Sequence, residues 1–493
     1  MPGTSFIVIP ELIETVNQIG KLNLKFMNKK FQFQSNIASL LGYQCPDWFR
    51  DAKFGIYVHW GVYSVPERGE WYPRNMYLEG HPDYQHHIQN YGHPSEFGYK
   101  DLIPLWTAEK WDPEELVSLF KRAGARYFTP CAVHHDNFDL WDSKFHRWNS
   151  VNMGPRKDIT RQWQEAALNQ GLRFGVTTHL ERTWSWFNTN KGADCSGTKV
   201  GVPFDGNNTS YSDFYLDPHT DTDLRHPLNA PKSWCEHWAA RIKDLIDNYH
   251  PDLLYFDGCI PFAGEDNGQT GLDVIAHYYN DSIKEHNGDL QAVMCVKDLP
   301  DHGIYVDGVT TLDLERTRLD NIRGLPWQTD TSTGPWGYNS GISYRPVKEL
   351  IHELIDIVSK NGNVLLNVPP KADGTLDSAT VQILESIGQW LDINGEAIYG
   401  TRPWVIHGHD QYRFTRAKDA VYVHLLEWPK DNNVITIPSL VQLRAIGPIS
   451  KVQLLGCDKS LRWGQDTVEE GALRIVLPEH PKGEHAWVFK VQW

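Results

Sequence analysis

The chain has little of what marks several large classes of protein. Cysteine is sparse, with seven among 493 residues, and no Cys-x-x-Cys pair occurs. An odd number of scattered thiols fits reduced, mostly buried cysteines better than a disulfide framework or a zinc site. No run of 18 apolar residues exists, so no transmembrane helix is expected and no membrane partner. The short apolar run Phe6–Ile9 has no basic stretch before it, so a secretory signal is not read here and a cytoplasmic location is expected. Positive charge is in deficit: 47 Lys and Arg against 62 Asp and Glu leave −15. A chain that acidic is a poor binder of phosphate backbones, so no nucleic-acid partner is expected. There is no Gly-rich nucleotide fingerprint after the first strand candidate, no His-x-His on it and no His-Glu-x-x-His anywhere.

Aromatic residues, in contrast, make up 12%, including 20 Trp. Most will serve the core. A flat apolar face with one polar donor also suits the C–H faces and hydroxyls of a sugar. The length allows two to four domains, or one large barrel with a smaller module.

Between Lys53 and about Trp390, apolar runs alternate with amphipathic helices. The strand candidates are Lys53–Trp60, Arg126–Val133, Leu172–His179, Asp252–Asp257, Gln291–Val296, Thr310–Glu315 and Asn363–Val368. They read as strands buried on both faces. Asp112-Pro113-Glu114-Glu115 is a helix start, Ser233…Glu236 reads as a capping box, and a helix from about Pro346 to Lys360 stops at Asn361-Gly362. This alternation predicts an α/β fold with a parallel sheet closed into a (β/α) barrel, an open doubly wound sheet being the alternative. Two long connections, 62–105 and 187–231, are expected to wall one barrel face. After Trp404, short strands separated by turns predict an antiparallel β-sandwich. The expected division is an N-terminal helical extension over 1–45 with a helix around Glu11–Ile19, a barrel over 46–400 and a sandwich over 401–493.

Function in a barrel sits at the carboxyl ends of the strands. The residues ending the apolar runs are His59, His134-His135-Asp136, His179, Asp257 and Glu315. A lone strand-end histidine is more often structural than functional; it is the convergence of four histidines and several carboxylates that points to a site. Two chemistries suit the set. One is glycoside hydrolysis by two carboxylates, with histidines on the hydroxyls. The other is metal-assisted hydrolysis with His and Asp as ligands. Composition favours the sugar.

Longer segments carry a family resemblance. They are Lys53-Phe54-Gly55-Ile56-Tyr57-Val58-His59-Trp60-Gly61 with Glu70-Trp71-Tyr72, His134-His135-Asp136 with Trp148-Asn149-Ser150, Phe256-Asp257-Gly258, Trp336-Gly337-Tyr338, Asn361-Gly362-Asn363 and Asn394-Gly395-Glu396 through Trp404. In that order the chain resembles the α-L-fucosidases of glycoside hydrolase family 29. The resemblance implies a (β/α)8-like barrel followed by a β-sandwich, and an exo-acting, retaining hydrolase of L-fucose-containing glycans. It implies no cofactor and no metal, and assembly as a homo-oligomer. It assigns Asp257 as nucleophile and Glu315, in Asp313-Leu314-Glu315-Arg316, as general acid/base, with Glu285 and Asp313 as fallbacks. It assigns His59, Glu70, Trp71, His134, His135 and His179 to the sugar, and Trp336 to its methyl side. Asp136 is expected to orient one of the histidines. A catalytically inactive carbohydrate-binding protein on the same fold is the remaining alternative; retention of both carboxylates argues against it.

Overall fold

The computed structural model describes residues 32–493 apart from 225, 431, 439, 441–447, 466–471 and 480. The helix expected around Glu11–Ile19 lies outside the described residues. Eight parallel strands close into a barrel in chain order: β1 (Phe54–Val58), β2 (Tyr127–Val133), β3 (Arg173–Thr178), β4 (Leu253–Phe256), β5 (Val293–Lys297), β6 (Thr311–Asp313), β7 (Trp327–Ser332) and β8 (Gly362–Asn367).

Alternate side chains of a strand point to opposite faces. Phe54, Ile56 and Val58 of β1 join Val176, Leu254, Met294 and Leu366 in the large core shared with the surrounding helices. Tyr57, Tyr127, Tyr255, Val293 and Leu365 form a separate cluster inside the barrel, closed at its amino end by Phe49 of the helix Asp47–Ala52. With both faces buried, these strands become the apolar runs seen in the sequence. The interior is tight: a Cβ at Gly55 would lie 2.3 Å from the Tyr127 ring.

Three expectations need correction. The strand β7, Trp-Gln-Thr-Asp-Thr-Ser, was not anticipated, because five of its six side chains are polar and no apolar run marks it. All six are buried, and their partners lie inside the barrel: Gln328 Nε2 donates to Asp313 at 2.8 Å and Tyr255 Oη to Asp330 at 3.0 Å. The run Thr310–Glu315 yields a strand of three residues, which leaves Glu315 beyond its end. The capping box Ser233…Glu236 does not form; the helix starts earlier, at Lys232 after Pro231, and no side chain caps it. Asp112, in contrast, caps the helix Pro113–Arg122 as expected, accepting from Glu115 N at 3.0 Å.

The two long connections are held to each other by buried hydroxyl–carboxylate bonds. Tyr77 Oη donates to Asp205 at 2.8 Å and Tyr84 Oη to Asp194 at 2.6 Å. The first of these connections brings Glu70 and Trp71 to the cavity at the barrel's carboxyl end.

Beyond the barrel lie two antiparallel sheets. Five strands run β13 (Lys451–Leu454), β16 (Trp487–Gln492), β11 (Ala420–Leu425), β10 (Tyr412–Arg416), β9 (Arg402–His409); three run β12 (Val434–Ile437), β15 (Leu473–Val476), β14 (Arg462–Gln465). Phe414, Val423 and Val491 from one sheet meet Ile435, Ile437 and Ile475 from the other in one core. The strands β9 and β14 had not been anticipated. Both lie at sheet edges; β14 is largely exposed and β9 is half-buried along most of its length, so neither carries a buried alternation for hydropathy to report. Among the described residues no helix is long and apolar enough to cross a membrane.

Candidate active site

The strand ends deliver the polar residues together. His59 follows β1, His134 and His135 follow β2, His179 follows β3, and Asp257 follows β4. The sheet ladder fixes their backbones: His179 N donates to Val133 O at 3.0 Å and Asp257 N to Thr178 O at 3.1 Å. Glu315 sits two residues past β6, where Arg316, at φ 47°, turns the chain back so that its N–H reaches Asp330 O at 2.9 Å. Glu70, Trp71 and Trp336 arrive from loops. All nine residues expected at the site line one small cavity.

Tyr57, Arg182 and Asp330 line the same cavity and were missed in the sequence. Tyr57 was findable, since it shares a strand face with His59 two residues on. Asp330 was hidden in the polar strand. Arg182 ends a short turn after β3 and had no pattern to announce it.

The two carboxyl groups are pushed in opposite directions. Asp257 Oδ1 lies 3.2 Å from Arg182, while Oδ2 lies 3.5 Å from His135 Nε2 and 3.4 Å from His179 Nδ1. Burial alone would raise its pKa, but the Arg182 guanidinium, the foremost of the opposing influences, holds the carboxyl well below the usual range. Glu315, at the cavity mouth, is pushed up by partial burial and by the charges of Asp330 and Asp257. Beneath them Lys297 Nζ bridges Asp313 at 2.7 Å and Asp330 at 2.6 Å. Two acids sharing one cation leave negative charge under the site, which favours a proton on Glu315. A Cβ on Gly258 would lie 2.0 Å from His226 Nε2; close packing, not a turn, is what demands glycine after Asp257.

The histidine tautomers follow from their partners. His135 Nδ1 donates to the carbonyl of His179 at 2.7 Å, so in the neutral ring Nε2 carries the lone pair. Burial pushes His135 down to about 4, so that lone pair faces the cavity at neutral pH. His59 Nδ1 lies 3.1 Å from Asn367 Oδ1. The Asn367 amide is fixed, because its Nδ2 donates to the Trp336 carbonyl at 2.7 Å; His59 therefore also offers Nε2 as acceptor. Glu70 accepts from Gly337 N at 2.8 Å, tying its loop to that of Trp336. Trp336 lies under the Arg316 guanidinium at 4.5 Å.

Three assignments change. Asp136 does not orient a histidine: its carboxylate accepts from Tyr99 Oη at 2.6 Å, in contact with the loop that supplies Tyr99. The fallback Asp313 is fully buried between Lys297 and Gln328 and does not line the cavity. The fallback Glu285 pairs with Lys284 on the outer end of the helix Gln269–Glu285. As for ions, His59, His134 and His179 each present one ring nitrogen, all within 4.8 Å of one another. The cavity as a whole offers one small ligand a carboxylate held toward its charged form, a second carboxyl group pushed toward its protonated form, neutral imidazoles and two indole faces.

The family model for alpha-L-fucosidase matches residues 21–396, and that for the alpha-L-fucosidase C-terminal domain matches 408–492. The tissue alpha-L-fucosidase of Rattus norvegicus is 31% identical over 463 residues, covering 90% of this chain and 89% of its own length. The Homo sapiens tissue enzyme is 30% identical over the same span. The crystal structure of Thermotoga maritima alpha-fucosidase in complex with fucose is 27% identical, with a TM-score of 0.73, covering 93% of this chain and 100% of that one.

Proposed function

The chain belongs to the alpha-L-fucosidase family of glycoside hydrolases, and from that premise we propose that it removes terminal α-L-fucosyl residues from glycans, exo-acting and with retention, by double displacement. The observation that carries this reading is the opposed pull on two carboxyl groups lining one small cavity, Asp257 held well below the usual carboxylate range and Glu315 pushed above it.

In the first step Asp257 Oδ2 attacks the anomeric carbon and Glu315 gives its proton to the leaving glycosidic oxygen, which departs as an alcohol. The sugar remains as an ester of Asp257. That ester removes the Asp257 charge, one of the causes that raised Glu315, so Glu315 now takes a proton from water. The hydroxide equivalent attacks the same carbon, and the Asp257 carboxylate leaves. Arg182 stabilises that carboxylate, which makes it a better leaving group in the second step. His59 and His135 accept from sugar hydroxyls, holding the ring as it flattens; such bonds accelerate the reaction only where they tighten in the transition state. Trp71 and Trp336 offer faces for the apolar C–H and methyl side.

Release of 4-nitrophenol from 4-nitrophenyl α-L-fucopyranoside tests the reaction, and the anomer of the first-formed fucose, read by NMR, tests the stereochemistry. First appearance of the β-anomer would overturn the double displacement. Absence of turnover on this activated substrate would overturn the activity.

A further inference from the structure

Three imidazoles converge at the floor of the cavity from three different strands. The ring centroids of His134 and His179 are 4.7 Å apart, those of His59 and His179 5.0 Å, and those of His59 and His134 5.4 Å. An ion bound tetrahedrally by three histidines at ~2.05 Å lies about 3.2 Å from each ring centre, which sets the centres about 5 Å apart. The observed triangle has that size. One nitrogen of each ring already lies within 4.8 Å of the others, so rotation of the rings, without backbone movement, is the adjustment an ion asks for.

The partner pattern agrees. His59 Nδ1 is engaged by Asn367 Oδ1, the outer hydrogen bond that orients a metal-binding histidine; its Nε2 lies 3.4 Å from Tyr57 Oη, a long contact that an ion would replace. His134 Nδ1 and both nitrogens of His179 are buried without a hydrogen-bond partner among the described residues. Buried polar atoms in that state are costly unless something fills the place. Asp257 Oδ2, 3.4 Å from His179 Nδ1, supplies the negative charge beside the cluster.

We propose that His59, His134 and His179 form a site for a divalent transition-metal ion of the zinc type, and that the bound ion excludes the sugar. The protein is then an enzyme reversibly inhibited by such ions and relieved by a chelator, the opposite of a metal-dependent hydrolase. Imidazole ligands favour zinc and copper over magnesium or calcium, so the latter two are expected to leave turnover alone. The exclusion, though not the ion site, rests on the sugar occupying this cavity.

The test uses chelator-treated full-length protein carrying Cys195→Ser, which removes the exposed thiol. Titration with CoCl2 is expected to give the intense visible absorption of a tetrahedral cobalt centre at one ion per chain, and L-fucose is expected to bleach it. ZnCl2 is expected to raise KM at least tenfold with kcat unchanged, and EDTA to restore it. His179→Gln is expected to weaken cobalt binding at least tenfold. His250→Ala, in the exposed cluster with Asp281 and Glu285, is expected to leave it intact. No visible band, or a band lost with His250→Ala and kept with His179→Gln, would overturn the site. A band lost with His179→Gln but indifferent to L-fucose, or zinc inhibition acting on kcat alone, would overturn the exclusion. If His179→Gln fails to fold, bleaching by L-fucose in the parent protein decides. Because the cobalt spectrum needs no turnover, an inactive protein that still binds cobalt would refute the fucosidase reading without touching the ion site.

Discussion

The two ends of the molecule are built from opposite materials. The sheet domain keeps an apolar core, in which Phe414, Val423, Ile435, Ile475 and Val491 meet across the sheets. The carboxyl end of the barrel buries Lys297, Asp313, Asp330 and four histidines within one closed ring of strands. Burying charge is costly unless it is paired and hydrogen-bonded. The barrel bears that cost where its strands end, because only there do side chains from many strands converge. The sheet domain has no such demand and packs for stability. Asp356, on the barrel helix Val347–Ser359, joins the two parts through Arg413 of β10 at 2.6 Å.

The sharpest break in this contrast is Asp257→Ala. A loss in kcat of about 10⁴-fold or more on the nitrophenyl fucoside is expected, with a melting temperature close to the parent's. Substantial residual turnover would move the nucleophile elsewhere. Lys297→Met comes next. It leaves Asp313 and Asp330 buried without their cation, and a stability loss of about 3–5 kcal/mol is expected in urea unfolding; a change under 1 kcal/mol would show that the polar core is not held by that ion pair. Ile475→Ala, in the sheet core, should cost about 2–5 kcal/mol as a cavity and leave kcat/KM of the folded enzyme unchanged. A parallel fall in kcat/KM would mean the two regions are not functionally separate.

Two subtler effects concern Glu315. In Glu315→Ala, azide and good leaving groups are expected to rescue turnover; an activated substrate hydrolysed no faster than a natural linkage would remove Glu315 from its role. The pH profile of kcat/KM sharpens the electrostatics. The proposed mechanism needs Asp257 ionised and Glu315 protonated. The acid limb therefore lies below the ordinary carboxylate range, because Asp257 is lowered, and the alkaline limb lies above it, because Glu315 is raised. Arg182→Met removes the charge that holds Asp257 down, so the acid limb should move upward while the alkaline limb changes little. An unmoved acid limb would show that Arg182 is not what keeps Asp257 ionised.

The same contrast governs what was legible. Strands β1 to β6 and β8 announce themselves because both faces are buried and hydropathy reports burial. Strand β7 is equally buried, but Gln328 and Asp330 are satisfied by Asp313, Lys297 and Tyr255 from elsewhere in the chain, and no local pattern encodes a distant partner. The edge strands β9 and β14 fail for another reason: one is half-buried throughout and the other exposed, so neither alternates between buried and exposed. Asp136 shows the limit for single residues. Its place beside His134 and His135 suggested a partner among them, yet its carboxylate bonds Tyr99, 37 residues back.

By itself the sequence determined which residues end the buried strands, because a run of apolar side chains and the polar residue that stops it are adjacent along the chain. From this came the barrel, and His59, His134, His135, His179, Asp257 and Glu315 at its carboxyl end, while the family motifs added Glu70, Trp71 and Trp336. Only the tertiary structure decided how these groups are charged. Arg182 against Asp257, Asp330 beneath Glu315 and the carbonyl of His179 against His135 are contacts between separate turns and strands, and a pKa is set by what lies within a few ångströms in space, however far away it is along the chain.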